Sequence, residues 1–156
     1  MTYLIEGLDP APFRPLFELG EAELAARGIV RVVADAAPGY PCRVTLEDAQ
    51  PGERLLLLNH ESRSGESPYR ARHAIFVRET AQQAAVHEGQ VPEVFVPRQL
   101  SLRGFDAAGM MVDAMIAEPG TADEALRAMF DDPRIVEIDV HNAIRGCFSA
   151  RARRMP

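Results

Sequence analysis

Strict alternation of apolar and polar side chains over residues 136–141 marks residues 135–141 as a β-strand. In a strand this alternation separates two faces: Val136, Ile138 and Val140 on one, and Glu137, Asp139 and His141 on the other. We expect the apolar face to contact the core and the polar face to contact water.

Other segments of the chain also carry strand patterns. They are residues 2–8, 29–34, 54–59, 73–79, 98–105, 110–117 and 147–153. The four leucines within 54–59 also fit a short buried helix, but the length and flanks of the run favour a strand. Residues 98–105 and 110–117 are expected to form a hairpin, because residues 106–109 have the aspartate and glycine of a type I turn.

Helix signals are fewer. Residues 121–124 form a capping box, which predicts a helix over 122–131. A shorter helix is predicted after Gly20, and it ends at Gly28, a residue type that favours the left-handed conformation. Residues 80–89 are compatible with a further helix, and the polar residues 61–72 indicate a loop.

These elements predict an α+β fold: a mainly antiparallel or mixed sheet with a few short helices packed on one face. The chain has 156 residues, of which 47% are hydrophobic, so we expect one domain over residues 1–156. No glycine-rich phosphate loop joins a strand to a helix, which disfavours a doubly wound nucleotide-binding fold.

Composition excludes several kinds of function. The net charge of −6 argues against nucleic-acid binding. All 17 basic residues are arginine, so Schiff-base and P-loop lysines are excluded. No signal segment or membrane-length apolar run is present, and two cysteines suit a reducing compartment; we expect a cytoplasmic protein that is not in a membrane.

The strongest candidate for chemistry is the pair His141 and Cys147. If the five residues 142–146 are a hairpin loop, the two side chains lie opposite each other, and an imidazole can stabilise a thiolate. The alternative interpretation is a solvated polar strand face beside a cysteine that serves only for packing.

Two other places carry candidate residues. Cys42 stands beside Arg43, which suits either a reactive thiol or a packing residue. Residues 67–73 hold two arginines, a tyrosine and a histidine, which suit either an anion clamp or a solvated loop. We predict catalytic roles for the pair His141 and Cys147, and ligand-binding roles for Arg43, Tyr69, Arg70, Arg78 and Asn142. The sequence identifies no cofactor and no metal site.

Several motifs occur in an order that is similar to a known family. They are residues 38–43 (PGYPCR), 67–70 (SPYR), 75–79 (IFVRE) and 141–148 (HNAIRGCF). The chain resembles the bacterial family described as domain of unknown function number 1203, from about Leu8 to Arg153. That resemblance implies a stand-alone bacterial protein of about this length, and it implies no activity.

Two hypotheses for function stay open. In the first, the chain binds or transforms a small anionic ligand with an Arg/His/Cys site. In the second, it is a non-catalytic protein–protein module with structural cysteines, in which exposed sheet edges pair with a partner or a second copy.

Overall fold

The computed structural model describes residues 1–156 as two antiparallel sheets with two short α-helices. The strands are β1 (Tyr3–Glu6), β2 (Val30–Val33), β3 (Arg54–Arg63), β4 (Ala71–Arg78), β5 (Val86–Glu88), β6 (Leu100–Phe105), β7 (Met111–Ala117), β8 (Glu137–Asn142) and β9 (Phe148–Arg154). The helices are α1 (Glu21–Ala26) and α2 (Ala122–Phe130), with 3-10 turns at Arg14–Glu18 and Glu93–Phe95. The predicted α+β class is confirmed.

The larger sheet has six strands in the order β5-β1-β9-β8-β6-β7. Its neighbouring strands β1 and β9 are far apart along the chain, with Tyr3 paired with Arg154. One face of this sheet packs against α2 in a core of 17 buried residues, which includes Leu102, Leu126 and Ile138. Ile138 and Val140 lie on this face, as the alternation predicts, but Val136 precedes β8 and is 37% exposed.

The smaller sheet has the order β2-β3-β4 and a core of its own with α1. Leu56 and Leu58 of β3 pack with Leu24 of α1, while Leu55 packs on a separate cluster with Ala34. The leucine run is therefore a strand that is buried on both faces at its centre, as its continuous apolar pattern indicates.

The polar face of β8 is covered by the smaller sheet, so the expectation that it contacts water is wrong. Asp139 and His141 are each only 2% exposed. Arg63, at the far end of β3, donates to Asp139 and to Glu137 from the smaller sheet. Buried charges need partners of this kind, so the polar residues hold one sheet against the other.

The loop prediction and one helix prediction for the segments beside β4 need correction. The loop predicted over 61–72 is shorter, since β3 extends to Arg63 and β4 starts at Ala71, which leaves a loop of 64–70. Residues 80–89 contain no helix; they hold β5, which adds to the edge of β1. Polar residues suit the end of β3 because Arg63 meets the carboxylates of Glu137 and Asp139 on β8.

The helix predicted over 122–131 is confirmed as Ala122–Phe130, but its capping box does not form. Thr121 has φ −109° and ψ 7° and makes no side-chain cap. Its hydroxyl instead donates to the carbonyl of Glu118 at 2.9 Å. The shorter helix has Gly20 as its N-cap, and Gly28 has a φ of 69°, as predicted. None of the helices is long and apolar enough to cross a bilayer.

Candidate functional site

A cleft of about 920 Å³ lies where the ends of the two sheets meet. Three parts of the chain line it. The segment before β3 gives Asp35, Ala36, Gly39, Tyr40, Pro41 and Arg43; the smaller sheet gives Leu57, His73, Ala74 and Phe76; and the larger sheet and its loops give Pro97, Arg98, Gln99, Asn142, Ile144, Arg145 and Cys147.

Arg43 is the central buried group of this cleft. It is 2% exposed, and its guanidinium donates to the carbonyls of Phe148 at 2.8 Å and Pro41 at 2.6 Å. Its third hydrogen bond runs from Nη2 to Sγ of Cys147 at 3.1 Å. Burial lowers the pKa of the Arg43 guanidinium, and Cys147 opposes that effect.

The backbone around Arg43 is fixed by the smaller sheet. Cys42 forms a parallel bridge with Phe76 of β4, and the amide of Arg43 donates to the carbonyl of Phe76 at 3.0 Å. The Arg43 carbonyl accepts from the amide of Leu8 at 2.8 Å. Arg43 is therefore held by strand-like pairing on both sides, although it belongs to no strand.

Cys147 follows a tight turn between β8 and β9. The Asn142 amide donates to the Cys147 carbonyl at 2.9 Å, and the Gly146 amide donates to the Asn142 carbonyl at 2.7 Å. Gly146 has a φ of 79°, a left-handed conformation that favours glycine. The side-chain amide of Asn142 also donates to Sγ of Cys147 at 3.4 Å.

This turn corrects the predicted pairing of His141 with Cys147. The loop has four residues (143–146), so Asn142 faces Cys147, and His141 is paired with Phe148 across an irregularity in the ladder. The register is shifted because the Asn142 and Gly146 bonds close a shorter turn than the predicted one. The hydrogen-bond donors to the Cys147 sulfur are Arg43 and Asn142.

His141 is a buried neutral imidazole. Its Nδ1 lies 2.9 Å from the carbonyl of Gly146, and its ring meets His73 edge-on at 4.9 Å between centroids. Burial lowers the pKa of His141 to about 4, with a hydrogen bond to Gly146 opposing and Arg103 and His73 adding to the effect. At neutral pH it carries no charge, so it supplies no imidazolium for a thiolate.

Two polar atoms bordering the cleft have no hydrogen-bond partner although they are buried. They are Oδ1 of Asn142 and Nδ1 of His73. Burial lowers the pKa of His73, and Arg103 adds to that effect. Buried polar atoms without partners are uncommon, and neither of these two is open to solvent.

The three arginines of the cleft differ in what they contact. Arg98 makes two hydrogen bonds to Asp48, at 2.7 and 2.9 Å, and one to the Val94 carbonyl. Arg43 is bound to Cys147 and to carbonyls. Arg145 is exposed and makes no hydrogen bond or ion pair. Its guanidinium is therefore the one available to an incoming anion.

The other predicted ligand-binding residues lie away from this cleft. Arg70 is exposed and paired with Glu61, and Tyr69 packs edge-on against Phe105 at 5.5 Å. Arg78 is bound by Glu53 through two nitrogens. Of the residues predicted to bind ligand, the cleft contains Arg43 and Asn142; roles for the others stay predictions about other surfaces.

Sequence reasoning missed Arg98, Arg145, Tyr40 and, as a site residue, His73. A signal existed for Arg145, since it stands in the motif between Asn142 and Cys147 that carries the family resemblance. For Arg98 no local signal exists, because its partner Asp48 is 50 residues away. No group of three or more metal-ligating side chains is arranged to hold a metal ion.

The fold and the cleft define a class of protein: an α+β domain of two antiparallel sheets with an arginine-bound cysteine between them. A protein-family model described as "Protein of unknown function (DUF1203)" matches residues 39–154, which include Arg43, Asn142 and Cys147. The chain belongs to this family. No curated protein and no solved structure matches the chain.

Proposed function

We propose that this protein binds a small anionic ligand in the cleft and that Cys147 is a thiolate nucleophile towards it. The observation that carries the proposal is the hydrogen bond from Arg43 to Sγ of Cys147. Arg43 has no carboxylate partner, although it is 2% exposed.

A buried guanidinium without an anion is costly, because burial removes the water that stabilises its charge. Sγ of Cys147 is the group among its three acceptors that can become an anion. A thiolate there would neutralise Arg43, and Arg43 and Asn142 would both stabilise it by hydrogen bonds. The half-buried Cys147 also borders the cleft, which gives a ligand access to it.

The charge of the lining favours an anionic ligand. It contains three arginines and one aspartate, although the chain has a net charge of −6. Arg145 has no partner and can contact a carboxylate or phosphate. The chemistry that follows is attack by the thiolate on an electrophilic carbon of the ligand: the S–C bond forms, and the leaving group departs with its bonding electrons.

The proposal is tested with two alkylating agents of similar size. Iodoacetate is an anion, and iodoacetamide is neutral; each loses iodide as the S–C bond forms. We expect both to label Cys147 at pH 7 faster than buried Cys42 and faster than free glutathione. We also expect the iodoacetate-to-iodoacetamide rate ratio at Cys147 to exceed the ratio for glutathione. Mass spectrometry of each cysteine measures these rates.

Variants identify the groups responsible. Asn142→Ala should slow the labelling of Cys147, because it removes one hydrogen-bond donor to the sulfur. Arg145→Gln should lower the iodoacetate-to-iodoacetamide rate ratio at Cys147. The control is Arg27→Gln, which changes an exposed arginine outside the cleft and should leave this ratio unchanged. If Cys147 in the folded wild-type protein is labelled no faster than glutathione, the proposal that Cys147 is a nucleophile is overturned.

A further inference from the structure

The thiol of Cys147 receives hydrogen bonds from groups that give up no proton near neutral pH. Nη2 of Arg43 donates to Sγ at 3.1 Å, and the side-chain amide of Asn142 donates at 3.4 Å. A guanidinium stays protonated in proteins, and a side-chain amide is not an acid. Neither partner of the sulfur can therefore protonate a leaving group.

The other titratable groups of the cleft also fail as proton donors. Burial lowers the pKa of His73, and Arg103 adds to that effect, so the imidazole is uncharged at neutral pH. The Tyr40 hydroxyl donates to Asp35 at 2.9 Å, and this hydrogen bond raises the pKa of Tyr40. A group that leaves in this cleft must therefore depart as an anion, without a general acid.

The basicity of the leaving group decides which substrates remain. Amide nitrogens and alkoxides are far more basic than a thiolate, so peptides and alkyl esters need a proton donor to break. A phosphate monoester is a weak base, because its second pKa is about 6, against about 8.5 for a free cysteine. It also carries the negative charge that the exposed, unpaired Arg145 can bind. One leaving group thus meets both requirements of the cleft.

The cleft has an apolar wall beside its charges. The rings of Tyr40 and Phe76 lie 5.2 Å apart between centroids, and half-buried Leu57 also lines this side. At the tip of the β8–β9 turn, next to Arg145, Ile144 borders the cleft and is 89% exposed. These side chains favour an apolar acyl group over a short or charged one.

We propose that the substrate is a mixed anhydride of an apolar carboxylic acid and a phosphate monoester, which transfers its acyl group to Cys147. This inference rests on the proposed function, since it names the substrate of the same thiolate. The phosphate contacts Arg145, and the acyl side chain lies against Ile144, Tyr40 and Phe76.

The transfer needs no proton. The thiolate attacks the carbonyl carbon, the S–C bond forms, and the C–O bond to the phosphate breaks. The phosphate monoester leaves with the electron pair of that bond, as a dianion. The single charges of the thiolate and of the anhydride are then both on the phosphate, and Cys147 is left as a neutral thioester.

The test uses benzoyl methyl phosphate as the probe and four compounds that each change one feature. 4-Nitrophenyl benzoate keeps a weakly basic leaving group but lacks the charge, and acetyl methyl phosphate has a shorter acyl group. Methyl benzoate and N-methylbenzamide have strongly basic leaving groups. Mass spectrometry of digested protein measures the rate of acylation at Cys147, and each rate is divided by the rate for glutathione.

We expect this normalised rate to be about tenfold higher for the probe than for 4-nitrophenyl benzoate or acetyl methyl phosphate. Methyl phosphate should be released at the rate at which Cys147 is acylated. Methyl benzoate and N-methylbenzamide should leave Cys147 unmodified.

Single substitutions then connect each preference to its residue. Arg145→Gln should abolish the preference for the probe over 4-nitrophenyl benzoate, and Ile144→Ser should abolish the preference over acetyl methyl phosphate. The matched controls are Arg27→Gln, outside the cleft, and Ile116→Ser, an exposed isoleucine of β7. Both controls should preserve the two preferences.

The outcomes separate this inference from the proposed function. Equal normalised rates for the probe and the other two activated compounds, or acylation of Cys147 by methyl benzoate or N-methylbenzamide, overturn the mixed anhydride, and so does no acylation at all. If Cys147 still labels rapidly and prefers iodoacetate, the anion site and the nucleophile stand without it. If that labelling is also slow and shows no preference for iodoacetate, both proposals fall.

Discussion

Arg63 of β3 donates from Nε to Oδ2 of Asp139 on β8 at 2.9 Å, and this pair joins the two sheets. Asp139 also accepts from Arg151 of β9, so two guanidinium groups share one carboxylate. Burial by itself raises the pKa of Asp139, but the hydrogen bonds from Arg151 and Arg63 outweigh it and hold the pKa below its ordinary value. The carboxylate is therefore ionised in the folded protein at neutral pH.

Asp139→Ala should destabilise the protein strongly. The substitution removes the buried carboxylate that Arg63 and Arg151 share. Glu137 still pairs with Arg63, so the expected cost is about 3 kcal/mol, the low end for a broken buried pair. Urea unfolding measures it. Arg70→Ala is the control, since it removes an exposed ion pair worth about 0–1 kcal/mol. Equal effects of the two substitutions would contradict the role given to the buried pair.

Acid should destabilise the protein through His141. Its pKa is lowered from 6.5 to about 4 in the folded state, so the unfolded chain binds more protons between these values. The free energy of unfolding should therefore fall by about 2 kcal/mol from pH 7 to pH 5 on account of this residue. His60 and His73, whose pKa values are also lowered by burial, add to the loss.

Urea titrations at pH 7, 6 and 5 measure this pH dependence, and His141→Gln should make it shallower. A wild-type protein equally stable at pH 5 and pH 7 would show that His141 becomes charged in the folded state without cost.

The charge at position 147 should influence stability. Cys147→Ala leaves Nη2 of Arg43 without its acceptor, which should cost about 1–3 kcal/mol. Cys147→Asp supplies a permanent anion and should be more stable than Cys147→Ala. Thermal or urea unfolding of the two variants decides between the interpretations, because a cysteine that serves only for packing favours alanine over a partly buried aspartate.

Gly7 controls the position of Arg43. A Cβ at residue 7 would lie 1.9 Å from the carbonyl oxygen of Val44, a contact that backbone must move to relieve. Gly7→Ala should therefore cost about 3 kcal/mol and slow the labelling of Cys147, because the segment carrying Arg43 shifts. At Gly39 the nearest atom is 4.0 Å away, so Gly39→Ala should have little effect on stability.

The strands and helices were largely predictable because their signals are local. The hairpin of β6 and β7, for example, turns at Asp106, whose carboxylate accepts from the amides of Ala108 and Met110. Local signals also misled: Thr121 has the residue type of a helix cap, but its hydroxyl contacts the preceding turn. For that reason Thr121→Ala should cost less than a true cap would.

The site was predictable only in part, because its contacts join distant parts of the chain. Asn142 and Cys147 are five residues apart in one turn, so their proximity could be expected from the sequence. Arg43 and Cys147 are 104 residues apart, and no sequence pattern relates them. The polar face of β8 was expected in water for the same reason, since Arg63 lies 76 residues before Asp139.

The pairing of β1 with β9 has a consequence for biosynthesis. β5 joins the larger sheet only through β1, and β1 finds its other neighbour only in β9. The ladder that joins Tyr3 to Arg154 thus waits until the ribosome has released β9. We expect a nascent chain halted before residue 148 to remain sensitive to protease in its first strand, and folding to be slow because such long-range pairing raises contact order.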